Sequence, residues 1–198
     1  MSSTATSRGA GRVIAGSARG IRLLAPAGDA RPLGDRLKET LFAILEPELR
    51  GTAFLDLFAG SGAGAIEALS RGAARAVLVD RDAAAIATMT ANLRAAHLMD
   101  LAIVRRANAL DWLRTSASVD GPFDIVLADP PYDATDALDE ALQTIAAAGP
   151  GAILAGTGVV VAKHGRRATP APRIGLLASE RERRFGESTL TFLRWETE

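Results

Sequence analysis

A carboxylate, two prolines and an aromatic stand together at Asp129-Pro130-Pro131-Tyr132. They follow the apolar run Phe123–Ala128, which reads as a buried strand. The prolines fix φ and bring no N–H, so the strand end presents acceptors on a rigid backbone. Such a surface suits an exocyclic amine on a flat base. Asp129 can take one amine proton, the Pro130 carbonyl the other, and Tyr132 can stack on the ring. A strand that ends in an ordinary Pro-rich turn, capped by Asp, explains the tetrapeptide equally simply.

Other residues of this kind fall at other strand ends. Phe54–Phe58 reads as a short apolar strand, and Ala59-Gly60-Ser61-Gly62-Ala63-Gly64 follows it directly. Glycines there allow a tight turn and a close approach of backbone to ligand, as at nucleotide-binding strand–turn–helix units. The candidates for holding a nucleotide-like ligand are Asp56 and Phe58 before the turn, then Gly60, Ser61 and Gly62 within it. The spacing is Gly-x-Gly-x-Gly, so a dinucleotide fingerprint fits poorly, and no Gly-Lys-Ser/Thr follows to make a P-loop. The run Ala76–Val79 ends in Asp80 and Arg81, about twenty residues past the glycine turn. A carboxylate there can accept from ribose hydroxyls, or simply be a solvated strand end. After Ala102–Arg105 come Asn108 and Ala109, a small polar pair able to flank an adenine or to cap the helix that follows.

The elements that must position these residues alternate between apolar runs and helical stretches. This predicts an α/β fold around a largely parallel sheet. Helices are expected at about 34–46, 64–71, 83–96, 109–114 and 134–147, the first with a stripe of Leu37, Leu41, Phe42 and Leu45. Late strands are expected at 159–162, 175–184 and 189–195, the last two an antiparallel pair turning at Phe185–Ser188. Residues 146–158 read as one Gly/Ala-rich loop. The expected organisation is a flexible tail over 1–11, an N-terminal hairpin and helix over 12–50 for substrate docking, and a ligand-binding catalytic unit over 51–198.

In this order, the strand-end acids, the glycine turn and Asp129–Tyr132 resemble the amino-methylating class I S-adenosylmethionine-dependent methyltransferases. The segment Arg31-Pro32-Leu33-Gly34-Asp35-Arg36-Leu37-Lys38-Glu39-Thr40-Leu41-Phe42 narrows the resemblance. With Arg12–Gly16, Arg19-Gly20, Leu23–Pro26 and Glu67–Ala73, it is similar to the bacterial 16S rRNA guanine-N2 methyltransferase family, nearly end to end. Leu33 and Gly34 depart from the family pattern, which has Thr after Arg-Pro, and Asn108 stands where many methyltransferases carry Asp. The resemblance implies a Rossmann-like, seven-stranded sheet with a reversed last strand and a small N-terminal extension. It implies S-adenosylmethionine as cofactor, with Asp56 orienting its methionine end, and Asp129, Pro130, Pro131 and Tyr132 as catalytic residues. The substrate implied is 16S rRNA in a small ribosomal subunit or its assembly intermediate.

Composition agrees with such an enzyme. The chain has 198 residues, enough for one domain with an appendage, and no apolar run long enough to span a membrane. It has no cysteine, which rules out disulfides and thiolate metal sites and suits a cytoplasmic setting. His97 and His164 are too isolated for a metal centre. A monomer is expected. Net charge is zero, but residues 51–150 hold seven Arg/Lys against thirteen Asp/Glu, while 1–50 and 163–198 each hold eight against five. The basic ends could attract phosphate. Arg12, Arg19, Arg31, Arg36 and Lys38 are therefore substrate-binding candidates, with Arg31, Asp35 and Glu39 organising the mouth of the site. Arg22, Lys163, Arg166 and Arg167 add to the basic set.

Two other readings use the same residues. A DNA adenine-N6 or cytosine-N4 methyltransferase shares the tetrapeptide chemistry but needs a target-recognition domain, and none of useful size is visible. A non-catalytic RNA-binding assembly protein would have no reason to keep Asp129, Pro130 and Tyr132 together.

Overall fold

The computed structural model describes residues 9–26, 33–131, 134–165 and 169–196. A small antiparallel ribbon, β1 (Gly9–Arg12) with β2 (Arg22–Leu24), precedes helix α1 (Asp35–Leu49). The first strand thus starts at Gly9, inside the stretch expected as tail. Next come β3 (Ala53–Leu57), α2 (Ala63–Ser70), β4 (Arg75–Asp80), α3 (Ala83–Ala95), β5 (Ala102–Arg106), α4 (Ala109–Thr115) and α5 (Ala117–Asp120). The chain continues through β6 (Phe123–Ala128), α6 (Thr135–Ala148), β7 (Leu154–Gly165), β8 (Arg173–Ile174), β9 (Leu177–Phe185) and β10 (Ser188–Trp195).

Strands β3 to β10 form one sheet in the order β5-β4-β3-β6-β7-β10-β9-β8. The first five in that order are mutually parallel, and β10, β9 and β8 each run antiparallel to the strand before them in it. Among the described residues the sheet has eight strands, one more than expected. The extra one, β8, is a two-residue edge strand that pairs only with β9, too short to leave a period-2 pattern. Strand β7 also starts at Leu154, inside the expected loop. Its pairing with β6 jumps from Phe123↔Leu154 to Ile125↔Val159, so a bulge absorbs the glycines between.

Helices cover both faces of the sheet, which is why β3, β4 and β6 are almost wholly apolar. Phe54, Leu78, Ile125 and Leu127 pack towards α1, α2 and α3; Leu55, Leu57, Val77, Val79 and Val126 pack towards α4 and α6. In α1 the expected stripe runs one turn further, to buried Leu49, with Pro47 inside the helix, and Phe42 stacks on Phe54 at 6.3 Å between ring centroids.

Buried polar groups lock the N-terminal segment to this body. Glu67, fully buried in α2, accepts from the N–H groups of Ile14 (2.8 Å) and Ala15 (3.1 Å). Ser70 donates to the Ala15 carbonyl at 2.6 Å and accepts from the Ala18 N–H at 2.9 Å. Gly16 has φ +84°, and a Cβ there would lie 1.8 Å from the Ser70 carbonyl oxygen, so only glycine fits.

Candidate active site

The chain leaves β3 to build β4 and β5 on one side, then returns to place β6 on the other. Between β3 and β6 the strand order reverses, the place where open parallel sheets bind ligands beyond their strand ends. A cleft of about 840 Å³ lies there, lined by Asp56, Phe58 and the glycine turn after β3, Asp80 and Arg81 after β4, Asn108 and Ala109 before α4, and Asp129, Pro130 and Pro131 after β6. The sequence-expected residues from four separate strand ends thus meet in one space. Tyr132 lies outside the described residues.

The turn from β3 to α2 is held from within. Asp80 accepts from the Gly60 N–H at 2.8 Å through Oδ2 and from the Asp82 N–H at 2.9 Å through Oδ1. Each oxygen keeps a lone pair, so the carboxylate is oriented without being used up. Phe58 enters the turn at φ +64°, a strained conformation for a bulky residue, stored where its ring lines the cleft. Ser61 is buried and also lines the cleft.

The glycines divide by role. A Cβ on Gly60 would meet nothing nearer than 4.0 Å. Gly62 is not among the lining residues; it is the left-handed N-cap of α2, and a Cβ there would press on Leu78 and Met89 at 3.0 and 3.1 Å. At Gly64 a Cβ would meet Leu127 at 2.6 Å and Asp56 at 2.9 Å. Protein packing, more than ligand approach, requires glycine at 62 and 64.

Asp56 is 3% exposed and accepts from the Ala65 N–H at 2.9 Å. Burial pushes its carboxyl up to about 8, against the pull of that backbone donor, and the negative charges of Asp129 and Asp80 add to the rise. Asp129 accepts from the Lys163 ammonium at 2.6 Å. Burial raises the Asp129 carboxyl too, and Lys163 opposes it. Asn108 caps α4, its Oδ1 accepting from the N–H groups of Leu110 (2.9 Å) and Asp111 (3.3 Å). The cap reading therefore holds, and Nδ2 is the amide group left to meet a ligand.

Several residues assigned to the basic surface sit elsewhere. Lys38 is fully buried, donating to the Arg12 carbonyl at 2.6 Å and pairing with Asp35 at 3.3 Å. It joins the ribbon to α1 and cannot reach a substrate phosphate. Asp35 also accepts from the Arg12 N–H at 3.2 Å, so its role is the same joint. Lys163 lines the cleft, buried to 7% exposure, and is no surface cation. Arg12, Arg19, Arg22, Arg36 and Glu39 are exposed and outside the cleft lining; Arg31, Arg166 and Arg167 lie outside the described residues. What the N-terminal segment does bring to the cleft is Pro26 and Leu33. The departure from the family pattern at Leu33 thus supplies an apolar wall. His164 is structural: its ring bonds the Gly165 carbonyl at 2.9 Å and the Thr191 hydroxyl at 2.8 Å.

A family model described as conserved hypothetical protein 95 matches residues 11–194. The chain belongs to this family. The putative rRNA methyltransferase YlbH of Bacillus subtilis (strain 168) is 38% identical over 176 residues, 88% of this chain and 94% of that protein. The ribosomal RNA small subunit methyltransferase D of Escherichia coli (strain K12) is 39% identical over 122 residues, 61% of this chain and 60% of that protein. The solved structure of the putative methyltransferase yhhF from Escherichia coli superposes with a TM-score of 0.82 at 30% identity, over 95% of this chain and 99% of that one. The family resemblance drawn from the sequence therefore holds, and the fold is that of class I methyltransferases with an eighth strand.

Proposed function

We propose that this protein transfers a methyl group from S-adenosylmethionine to the exocyclic N2 amine of a guanine in small-subunit ribosomal RNA. One observation carries the reading: Asp129-Pro130-Pro131 sits at the strand-order reversal and shares a cleft with Asp56, Asp80 and the glycine turn. The names of the similar proteins support an RNA substrate of the small subunit.

The cleft's donor set suits that cofactor. Among the described residues three carboxylates line it, and the ligand would carry an ammonium and a sulfonium. Phe58, Leu110 and Leu127 give apolar walls for a flat ring, and Asp80 has acceptors left for a ribose. Asp56 and the glycine turn would hold the amino-acid end, Asp80 and Arg81 the ribose, Asn108 and Ala109 the base. When bound, S-adenosylmethionine supplies a methyl carbon on a cationic sulfur that departs as a neutral thioether.

The chain's own residues do the rest. A guanine N2 amine is a weak nucleophile because its lone pair is delocalised into the ring. The Asp129 carboxylate and the Pro130 carbonyl would each accept one N–H, favouring a pyramidal nitrogen with its lone pair aimed into the cleft. Positioning of this kind is the main source of rate for a reactant that already carries a good leaving group. Asp129 or water takes the proton released. Tyr132 would stack on the base once it is unpaired, offsetting part of a cost of a few kcal/mol.

The test is methyl transfer from labelled S-adenosylmethionine to undermethylated small subunits, naked small-subunit RNA and duplex DNA, followed by mass spectrometry of the nucleosides. N2-methylguanosine from the subunit or its RNA is expected. Label in N6-methyladenine or N4-methylcytosine of DNA, or cofactor binding with no transfer to any substrate, would overturn the reading.

A further inference from the structure

The ion pair between Lys163 and Asp129 joins the ends of two neighbouring strands. Ala128 of β6 is paired with Ala162 of β7, so the next residue on each strand is Asp129 and Lys163. Lys163 Nζ lies 2.6 Å from Asp129 Oδ1, and the two side chains are 8% and 19% exposed. Lysine rarely gives up hydration to this degree without a task or a tight partner. Surface pairs of this type contribute little, but a buried one fixes both groups and makes the removal of either costly.

We infer that Lys163 is a positioning residue for the reaction proposed above: it holds Asp129 by one oxygen and keeps it charged, leaving the second oxygen to accept the target amine. This rests on the methyl-transfer reading. Among the described residues, Asp129 Oδ2 carries no hydrogen bond, so this oxygen remains an acceptor on a carboxylate held through Oδ1. The surroundings make a held charge necessary. Among the described residues, the other titratable groups lining the cleft are Asp56 from β3 and Asp80 and Arg81 from the end of β4; Asp136 of α6 is exposed, and His164 is turned to Thr191. Burial already pushes the Asp129 carboxyl upward with Lys163 in place. Without the ammonium nothing would oppose that rise, and the protonated form, which donates where it must accept, would be favoured further.

The proton balance follows. As the nitrogen–carbon bond forms, the carbon–sulfur bond breaks and its electron pair stays on sulfur. The nitrogen then sheds one proton to Asp129 Oδ2, and the partly exposed carboxyl passes it to water. Lys163 keeps its protons throughout.

The test compares wild type with Lys163→Met and Lys163→Arg in the full chain. Methyl transfer to undermethylated small subunits is measured from about pH 5.5 to 9.5. In Lys163→Met the acidic limb of kcat should move up by about one pH unit or more, so the rate at pH 7 falls about tenfold and recovers at alkaline pH. KM for both substrates should stay within about threefold, and Lys163→Arg should restore the wild-type limb. A readout free of turnover is the ¹³C titration of the Asp129 carboxyl in the unliganded protein, whose midpoint should rise in Lys163→Met. Should that variant not fold, Lys163→Gln gives the same comparison. A loss equal at every pH, with an unmoved carboxyl midpoint, would overturn the inference. Wild type that transfers to nothing would overturn the proposed function instead, while the carboxyl titration still decides whether Lys163 holds the charge.

Discussion

Asn92 donates through Nδ2 to the carbonyl of Ser61 at 2.9 Å, linking α3 to the glycine turn. The same amide donates to the Leu24 carbonyl at 3.0 Å, and its Oδ1 accepts from the Leu24 N–H at 2.8 Å. One side chain, 1% exposed, thus ties the end of β2 to the glycine turn. With Glu67 and Ser70 it fixes the N-terminal ribbon to the body of the fold, two residues before Pro26, which lines the cleft.

Asn92→Ala should cost about 3 kcal/mol of stability, because it leaves buried backbone donors and acceptors without partners. It should also weaken S-adenosylmethionine binding through Ser61. Thermal unfolding and calorimetric titration check both; a variant as stable as wild type with unchanged affinity would refute the link.

Asp56 gives a pH dependence whose sign is fixed. Its carboxyl is raised to about 8 in the folded protein, against an ordinary value near 4 when unfolded. Its stabilising contribution is full below about pH 4 and is lost as pH rises through about 8. Unliganded wild type should therefore lose stability on the order of a few kcal/mol over that window, and Asp56→Asn should remove this slope. A cationic ligand should drive the proton off. Binding at pH 7 is then expected to release a proton, seen as a heat that changes with the buffer's ionisation enthalpy.

Asp129→Ala should abolish transfer while leaving cofactor affinity within severalfold of wild type. Single-turnover assays beside calorimetric binding would show this. Transfer by that variant at near wild-type rate would remove the acceptor role.

The exposed and buried basic residues should separate cleanly. Arg12→Ala and Arg36→Ala are expected to weaken binding to the RNA substrate and to flatten its dependence on salt, as loss of phosphate contacts does. Lys38→Met should leave the salt slope alone and instead destabilise the fold by about 2 kcal/mol, since it takes the donor from the part-buried Arg12 carbonyl. Binding titrations across a salt series and thermal melts distinguish the two.

By itself the sequence determined the alternation of strands and helices and singled out residues at four strand ends that share one cleft. Runs such as Ala76–Val79 and Ile125–Ala128 have no polar face, so both sides had to be covered, and that points to a parallel sheet with helices on each face. The acids and prolines were legible because each breaks an apolar run at its end. Tertiary structure decided what depends on partners distant in the chain. The formal charges of Lys38 and Lys163 read as surface groups until the structure surrounds the first with Arg12 and Asp35 and sets the second against Asp129, 34 residues away in the chain. Gly62 and Gly64 read as room for a ligand, yet Leu78, Met89, Asp56 and Leu127 are what a side chain would strike. The two-residue β8 had no period to read, because pairing with β9 alone makes it a strand. Burial and long-range pairing set the protonation of Asp56 and Asp129, and no spacing within one segment carries that information.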